Sequence, residues 1–188
     1  MKRKLKLQMQ ISVDGFVAGP NGEMDWMMWN WDEELKDYGT KLTNSVDTIL
    51  LGRKMTEGFI SHWTNVAANP KNPEFEFAKK MVDYHKVVFT KTLDKSTWAN
   101  TELAKGSLVD EVKKLKNGTG KDIIVYGGAT FVSNLIKDNL IDEYYLFVNP
   151  AAIGKGMGVF SKLEAKQNLK LMNAKGFDCG ITVLNYQI

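Results

Sequence analysis

Cysteine is nearly missing from this chain. Cys179 stands alone among 188 residues, which excludes an internal disulfide and a cysteine-based zinc cluster. Histidine is almost as scarce. His62 and His85 lie far apart, without the close spacing of a local metal-ligand pair, and no Ser-His-Asp or Cys-His arrangement suggests itself. No metal site is expected. Long apolar runs are absent, and nothing approaches the roughly 18 residues of a membrane span. An excess of one charge is also lacking, since 25 basic and 22 acidic residues leave a net +3. Nucleic-acid binding usually needs a clustered basic surface, which this balance does not supply. The start, Met1-Lys2-Arg3-Lys4, resembles the charged head of a signal segment, but alternating residues follow in place of an apolar block. These absences predict a cytoplasmic protein that engages neither nucleic acid nor membrane.

What remains is globular chemistry. A composition 44% hydrophobic and 25% charged argues against disorder and low complexity. A chain of this length suits one domain, expected over residues 1–188, and buries roughly 70% of its unfolded surface without staples.

Leu5, Leu7, Met9, Ile11 and Val13 alternate with Lys6, Gln8, Gln10 and Ser12, which is the period of a strand. Asp14-Gly15 ends it, and Gly19-Pro20-Asn21-Gly22 marks a turn. After Trp26, Trp29 and Trp31, the spacing predicts a helix over about 32–43. Thr48–Leu51, Lys86–Thr90 and Ile123–Tyr126 read as strands covered on both faces. Helices are expected after Gly52, near 74–84 and over 129–137, with another built on Leu103, Leu108, Val112 and Leu115. Glu143–Val148 predicts a strand, and a hairpin from Leu169 to Leu184 closes the chain. Strand–helix alternation of this kind makes a three-layer α/β/α sandwich with a mostly parallel central sheet and a C-terminal antiparallel hairpin.

Three strand-to-helix junctions share a chemistry. They carry Gly52-Arg53-Lys54-Met55-Thr56, Thr90-Lys91-Thr92 and Gly127-Gly128-Ala129-Thr130. Ligands bind at the carboxyl ends of strands in open α/β sheets. Helix N-termini there offer free N–H groups to anions, and a Gly-Gly pair lets backbone approach a phosphate. Arg53, one of only two arginines, suits a phosphate monoester. Together these features favour a nucleotide with two phosphate centres. A pyrophosphate fits Gly127-Gly128, and a ribose 2′-phosphate fits Arg53 and Lys91, with donors from Thr56 and Thr90; that nucleotide is NADPH. Neither a P-loop nor a standard Rossmann fingerprint is present. The Gly154-x-Gly156-x-Gly158 loop is either a plain flexible loop or a wall of the ligand cleft. The polar face of the first strand is either the solvated side of an edge strand or the lining of a polar cleft.

Read in order, these segments resemble a known family. Ser12-Val13-Asp14-Gly15-Phe16-Val17-Ala18, Gly52-Arg53-Lys54-Met55-Thr56, Val88-Phe89-Thr90-Lys91-Thr92-Leu93, Val125-Tyr126-Gly127-Gly128-Ala129, Leu140-Ile141-Asp142-Glu143 and Pro150 to Gly156 resemble the dihydrofolate-reductase-like superfamily. The branch is the reductase domain of the bifunctional riboflavin-biosynthesis protein, the RibD C-terminal domain. The resemblance implies an NADPH-dependent, often homodimeric reductase acting on a small heterocyclic or carbonyl/imine substrate, of the 5-amino-6-(5-phosphoribosylamino)uracil reductase type. It implies cofactor contacts at Gly52, Arg53, Lys54, Thr56, Thr90, Lys91, Tyr126, Gly127, Gly128, Ala129 and Thr130. Nicotinamide would lie beside Val13 and Asp14. Substrate would meet Gln10, Ser12, Trp26, Gly154 and Gly156. The alternatives are a dihydrofolate reductase and a non-catalytic NADPH-binding protein of the same fold. Hydride transfer also needs a proton, for which Asp14 or a carboxylate of the Asp32–Asp37 group, Glu33 and Asp37 among them, is the candidate donor. The H-x-E and P-C-x-x-C marks of the zinc deaminase partner are absent.

Overall fold

The computed structural model describes residues 2–188. Strand β1 (Leu5–Ser12) is followed by helix α1 (Glu33–Asn44), strand β2 (Val46–Gly52), helices α2 (Arg53–Ala67) and α3 (Phe75–Asp83), and strands β3 (His85–Phe89) and β4 (Thr101–Ala104). Helix α4 (Leu108–Lys116), strand β5 (Asp122–Val125), helix α5 (Ala129–Lys137), strand β6 (Glu143–Asn149) and the hairpin β7 (Lys170–Gly176) and β8 (Thr182–Gln187) complete it. The eight strands form one sheet in the order β4-β3-β2-β5-β1-β6-β8-β7. Every adjacent pair is parallel except β6–β8 and β8–β7, so the sandwich has the mostly parallel sheet and antiparallel C-terminal pair that the sequence implies.

Local chemistry accounts for the helix boundaries. The Asp32 carboxylate accepts the Leu35 N–H at the head of α1, and the Ser107 hydroxyl accepts the Asp110 N–H at the head of α4. Lys113, Lys114 and Lys116 sit in the last turn of α4, where the helix dipole favours cations. One sheet face packs Leu5, Leu7, Met9 and Ile11 against Val112 of α4 and Val132, Leu135 and Ile136 of α5. The opposite face packs Ile49, Leu51, Val88 and Ile124 with Leu42 of α1 and Met81 of α3. Among the described residues no helix is long and apolar enough to cross a membrane.

Two expectations need correction. Leu103 does not join the helix of Leu108, Val112 and Leu115: it lies in β4, paired with Val88 of β3. Gly106-Ser107 separates the two elements and starts a new cap. The first strand is not an edge. It lies between β5 and β6, so Gln8 and Gln10 face the α1 side of a central strand.

Candidate functional site

The sheet order makes β3, β2, β5 and β1 neighbours, so their carboxyl ends bring four chain segments together. At the end of β5, Gly127 and Gly128 both have positive φ, +156° and +81°. An L side chain rarely adopts such angles. A Cβ on Gly127 would stand in ordinary contact with the Met55 and Met9 sulfurs, at 3.4 and 3.8 Å, so the constraint there is the backbone angle. The turn therefore sits between the first turn of α2 and the middle of β1. Helices α2 and α5 start here without any side-chain cap. Their first N–H groups are thus left to bind something else, and anions are what such ends attract. Gly52 is needed for close approach, because a Cβ on it would lie 2.9 Å from the Phe131 Cβ.

Around this turn the proposed phosphate ligands separate into two groups. Arg53 and Lys54 are exposed at the head of α2. The Arg53 Nε donates to the Thr92 hydroxyl at 3.1 Å, which lays the guanidinium along the β3 loop and leaves its terminal nitrogens to a ligand. A cleft of about 430 Å³ opens beside it, lined by Glu57, Leu93, Lys95, Thr97 and Trp98. Thr130 is exposed and Ala129 half-buried at the head of α5. Others are occupied internally. The Thr56 hydroxyl is buried and donates to the Gly52 carbonyl at 3.1 Å. The Thr90 hydroxyl accepts the N–H groups of Thr92 and Leu93, both at 3.1 Å, and so shapes the loop. Lys91 donates to the carbonyls of Lys105 and Gly106. Tyr126 stacks on Phe59 and its hydroxyl lies 3.4 Å from that of Thr43. Burial pushes its phenol well above the ordinary range.

The polar face of β1 forms the floor on the α1 side. Lys6 pairs with Asp122 at 2.8 Å, and Glu143 with Lys4 at 2.6 Å, at the amino end of the strand. Toward the carboxyl end the polar groups are carboxamides. Asn149, fully buried, donates to the Gln10 Oε1 at 2.6 Å and accepts the Met28 N–H at 2.8 Å. This pins the tryptophan-bearing segment to β6. Trp31 stacks on Phe147 with centroids 5.5 Å apart. Gln8 keeps its Oε1 buried and unpartnered, an uncommon state for a buried acceptor. Trp26 is half-buried, its indole N–H toward the Glu23 carbonyl at 3.3 Å.

The candidate proton donors are placed elsewhere or held ionised. Glu33 lies on the outer face of α1, pairs with Lys36 at 2.7 Å and leaves its side chain 91% exposed. Asp37 is exposed on the same helix. Asp32 is engaged as the α1 cap and also accepts the Cys179 N–H at 2.9 Å. Asp14 accepts from the Ser12 hydroxyl at 2.6 Å and from the N–H groups of Gly154 and Ile153 at 2.7 and 3.1 Å. The Ser12 hydroxyl, with those backbone donors, holds its carboxyl below the usual range. At neutral pH it is an anion that clamps two loops and carries no proton. Ser12 is fully buried inside the same clamp, accepting the Phe16 N–H. Gly156 packs against the Ala18 carbonyl with no room for a Cβ, whereas Gly154 faces open space.

Asn149 and Gln8 join the candidate site without having been singled out in the sequence. Asn149 shows only as the end of an apolar strand before Pro150, and its role emerges only from the β1–β6 register. Gln8 carried a signal, since it belongs to the polar face already noted on the first strand.

The comparisons with known proteins agree with this architecture. The chain is 32% identical over 187 residues to the uncharacterized protein YyaP of Bacillus subtilis (strain 168), covering 98% of this chain and 95% of that protein. It is 27% identical over 177 residues to the uncharacterized protein YwjB of the same organism, covering 94% of each. A putative riboflavin biosynthesis protein from Shewanella sp. PV-4 shares the fold with a TM-score of 0.72 at 22% identity, covering 100% of this chain and 98% of that one. The diaminohydroxyphosphoribosylaminopyrimidine deaminase/5-amino-6-(5-phosphoribosylamino)uracil reductase of Thermotoga maritima shares it with a TM-score of 0.70 at 18% identity. This chain is covered over 99% of its length there but spans only 56% of that bifunctional protein. The family model described as the RibD C-terminal domain matches residues 3–183, and the chain belongs to that family.

Proposed function

We propose that the chain is an NADPH-dependent reductase that transfers hydride to an electron-poor carbon of a small heterocyclic or carbonyl/imine substrate. The observation that carries this reading is the pair of uncapped helix heads on adjacent strands, one opened by Gly127-Gly128 and the other by Gly52-Arg53. These residues fit the cofactor. The backbone N–H groups from Gly128 to Thr130 would hold its pyrophosphate. Arg53 and Lys54 would hold the 2′-phosphate, with the adenosine end toward the cleft at Leu93 and Trp98. When bound, NADPH supplies the hydride.

The chain's own part is placement and water exclusion. Gly127 leaves the end of β5 without a side chain next to Met9 and Met55, and Gln10 faces the α1 side of the neighbouring strand. The Asp14 clamp holds the 153–154 loop at the mouth. Asp14, Asp32 and Glu33 are engaged elsewhere and Asp37 is exposed, and water is the proposed proton source. Folate reduction is the weaker reading, because the α1 carboxylates do not turn toward β1. Cytoplasmic location and a homodimer belong to the same proposal.

Energy transfer from tryptophan to NADPH tests the cofactor, since Trp98 lines the cleft beside Arg53. Saturable transfer that NADH reproduces only at much higher concentration is expected. Its absence refutes the assignment. A steady-state oxidation screen over pyrimidine, pterin and quinone substrates then separates a reductase from a protein that binds without turnover.

A further inference from the structure

The hydrogen bonds around Asn149 fix the orientation of a neighbouring side chain. The Met28 N–H can only donate, so the Asn149 atom facing it at 2.8 Å is the carbonyl Oδ1. On the other side, the Asn149 amide nitrogen faces the Phe147 carbonyl at 3.1 Å and the Ile11 carbonyl at 3.5 Å. Two backbone acceptors on that side require a donor, so both ends of Asn149 give the same assignment. The amide nitrogen also lies 2.6 Å from Gln10, which must therefore present its own carbonyl oxygen there. The remaining end of Gln10 is an NH₂ group with no protein acceptor among the described residues. Unlike the Gln8 oxygen, it is not sealed from solvent.

From this chain of constraints we infer that Gln10 is a specificity-determining residue locked as a hydrogen-bond donor, with Asn149 as the positioning residue that locks it. The ligand it reads is neutral and presents a carbonyl oxygen or imine nitrogen, not a cationic N–H edge. Asp122 and Glu143 on this face are paired with Lys6 and Lys4 at the far end of the strand, and the nearer Asp14 is taken up by the Ser12 hydroxyl and the Ile153 and Gly154 N–H groups. Met28 contributes through its backbone alone, so the tryptophan segment and the reading group are held by one buried side chain. The inference rests on the polar face of β1 lining the small-molecule site of the proposed function.

The test uses the full chain and two probes of the same shape, 4-pyridone and 4-aminopyridine. At neutral pH the first is neutral with a carbonyl acceptor. The second is a cation with an amino donor in its place. In nitrogen-15 spectra of the free protein, the Asn149 side-chain NH₂ is expected to exchange slowly with water and the Gln10 NH₂ quickly. 4-Pyridone should shift the Gln10 NH₂ signals and bind about tenfold more tightly than 4-aminopyridine, the effect of one hydrogen bond against a mismatched donor. Gln10→Glu keeps the acceptor for Asn149 but removes both donors, and should reverse the preference. A merely structural role would weaken both probes alike. Equal exchange of the two NH₂ groups, no shift at Gln10, or an unchanged preference in Gln10→Glu would each overturn the inference. NADPH titration of the same samples is independent: a chain that fails to bind NADPH but still shows the probe preference loses the reductase reading and keeps this one.

Discussion

The Gly154-x-Gly156-x-Gly158 loop offers a quantitative test, because its three glycines are glycine for different reasons. At Gly156 an added Cβ would lie 2.2 Å from the Ala18 carbonyl oxygen, 3.1 Å from the Phe16 Cβ and 3.2 Å from Ile153 Cδ1. Relief requires the two segments to part by about 1 Å, the gap between that approach and ordinary contact. The same carbonyl accepts the Met157 N–H at 2.8 Å, and Met157 returns its carbonyl to the Val17 N–H at 2.9 Å. Both bonds lengthen together. Each is worth about 1 kcal/mol net, and Val17 and Ala18 lose close packing as well. Gly156→Ala should therefore cost about 2–4 kcal/mol, which for a domain of this size lowers Tm by roughly 5–15 °C. Gly154 has φ +73° and open space, so Gly154→Ala costs only left-handed backbone strain of about 1–2 kcal/mol. Gly158 has neither constraint, and Gly158→Ala should be neutral or slightly stabilising through the unfolded chain. Thermal melts of the three variants, followed by circular dichroism, give the order. A Gly156→Ala melt within error of the parent, or three equal effects, would show that the loop is merely flexible.

Three further outcomes follow from single side chains. Arg53→Ala should weaken NADPH binding about tenfold while leaving NADH binding unchanged, the loss of a charge-assisted phosphate contact; tryptophan-to-nicotinamide energy transfer measures both. Asp14 is held below its ordinary range by the Ser12 hydroxyl and the Gly154 and Ile153 N–H groups, so its stabilisation is complete above the unfolded carboxyl value and is lost as pH falls through the folded one. Melts from pH 5 downward should show Asp14→Asn losing less than the parent over that window. Lys86 is 2% exposed and donates to the carbonyls of Met81, Val82 and Tyr84 at 3.1, 2.7 and 2.7 Å. Burial pulls the amine down to about 8, against the opposing pull of the Asp83 charge. Between that value and the unfolded one the unfolded chain binds more protons, so stability gains as pH rises, by at most about 3 kcal/mol. Denaturant midpoints of Lys86→Met against the parent from pH 7 to 10.5 should diverge in that direction, and parallel curves would refute the shift.

The legible part of the fold was the part written in period and punctuation. β5 and α5 announced themselves through Ile123-Ile124-Val125, the Gly127-Gly128 break and the apolar spacing of Phe131, Val132, Leu135 and Ile136. β4 did not. Its four residues, Thr101–Ala104, are too short to show alternation, and Leu103 lies close enough in sequence to the apolar residues of α4 to be grouped with them. What makes it a strand is pairing with β3, a contact between segments separated by the loop from Thr90 to Asn100, and no local pattern encodes that.

The site divides along the same line. The glycine junctions were legible because a backbone that takes positive φ or packs closely leaves its mark on composition. The internal bonds of Thr56, Thr90 and Lys91 were not, because a hydroxyl or an amine has the same letter whatever partner it meets. The first strand shows the limit most clearly. Lys6, Gln8, Gln10 and Ser12 give the alternation of an edge strand, yet the strand is central. The pattern survives because each polar group meets a different fate: Lys6 takes carboxylates, Ser12 takes Asp14, Gln10 takes Asn149, and Gln8 is left with a buried oxygen that nothing in the chain satisfies. A polar face on a central strand is stable only where each of its groups is answered. The two positions where the described residues do not fully answer them are Gln8 and the free end of Gln10, both on the strand that pairs with β5.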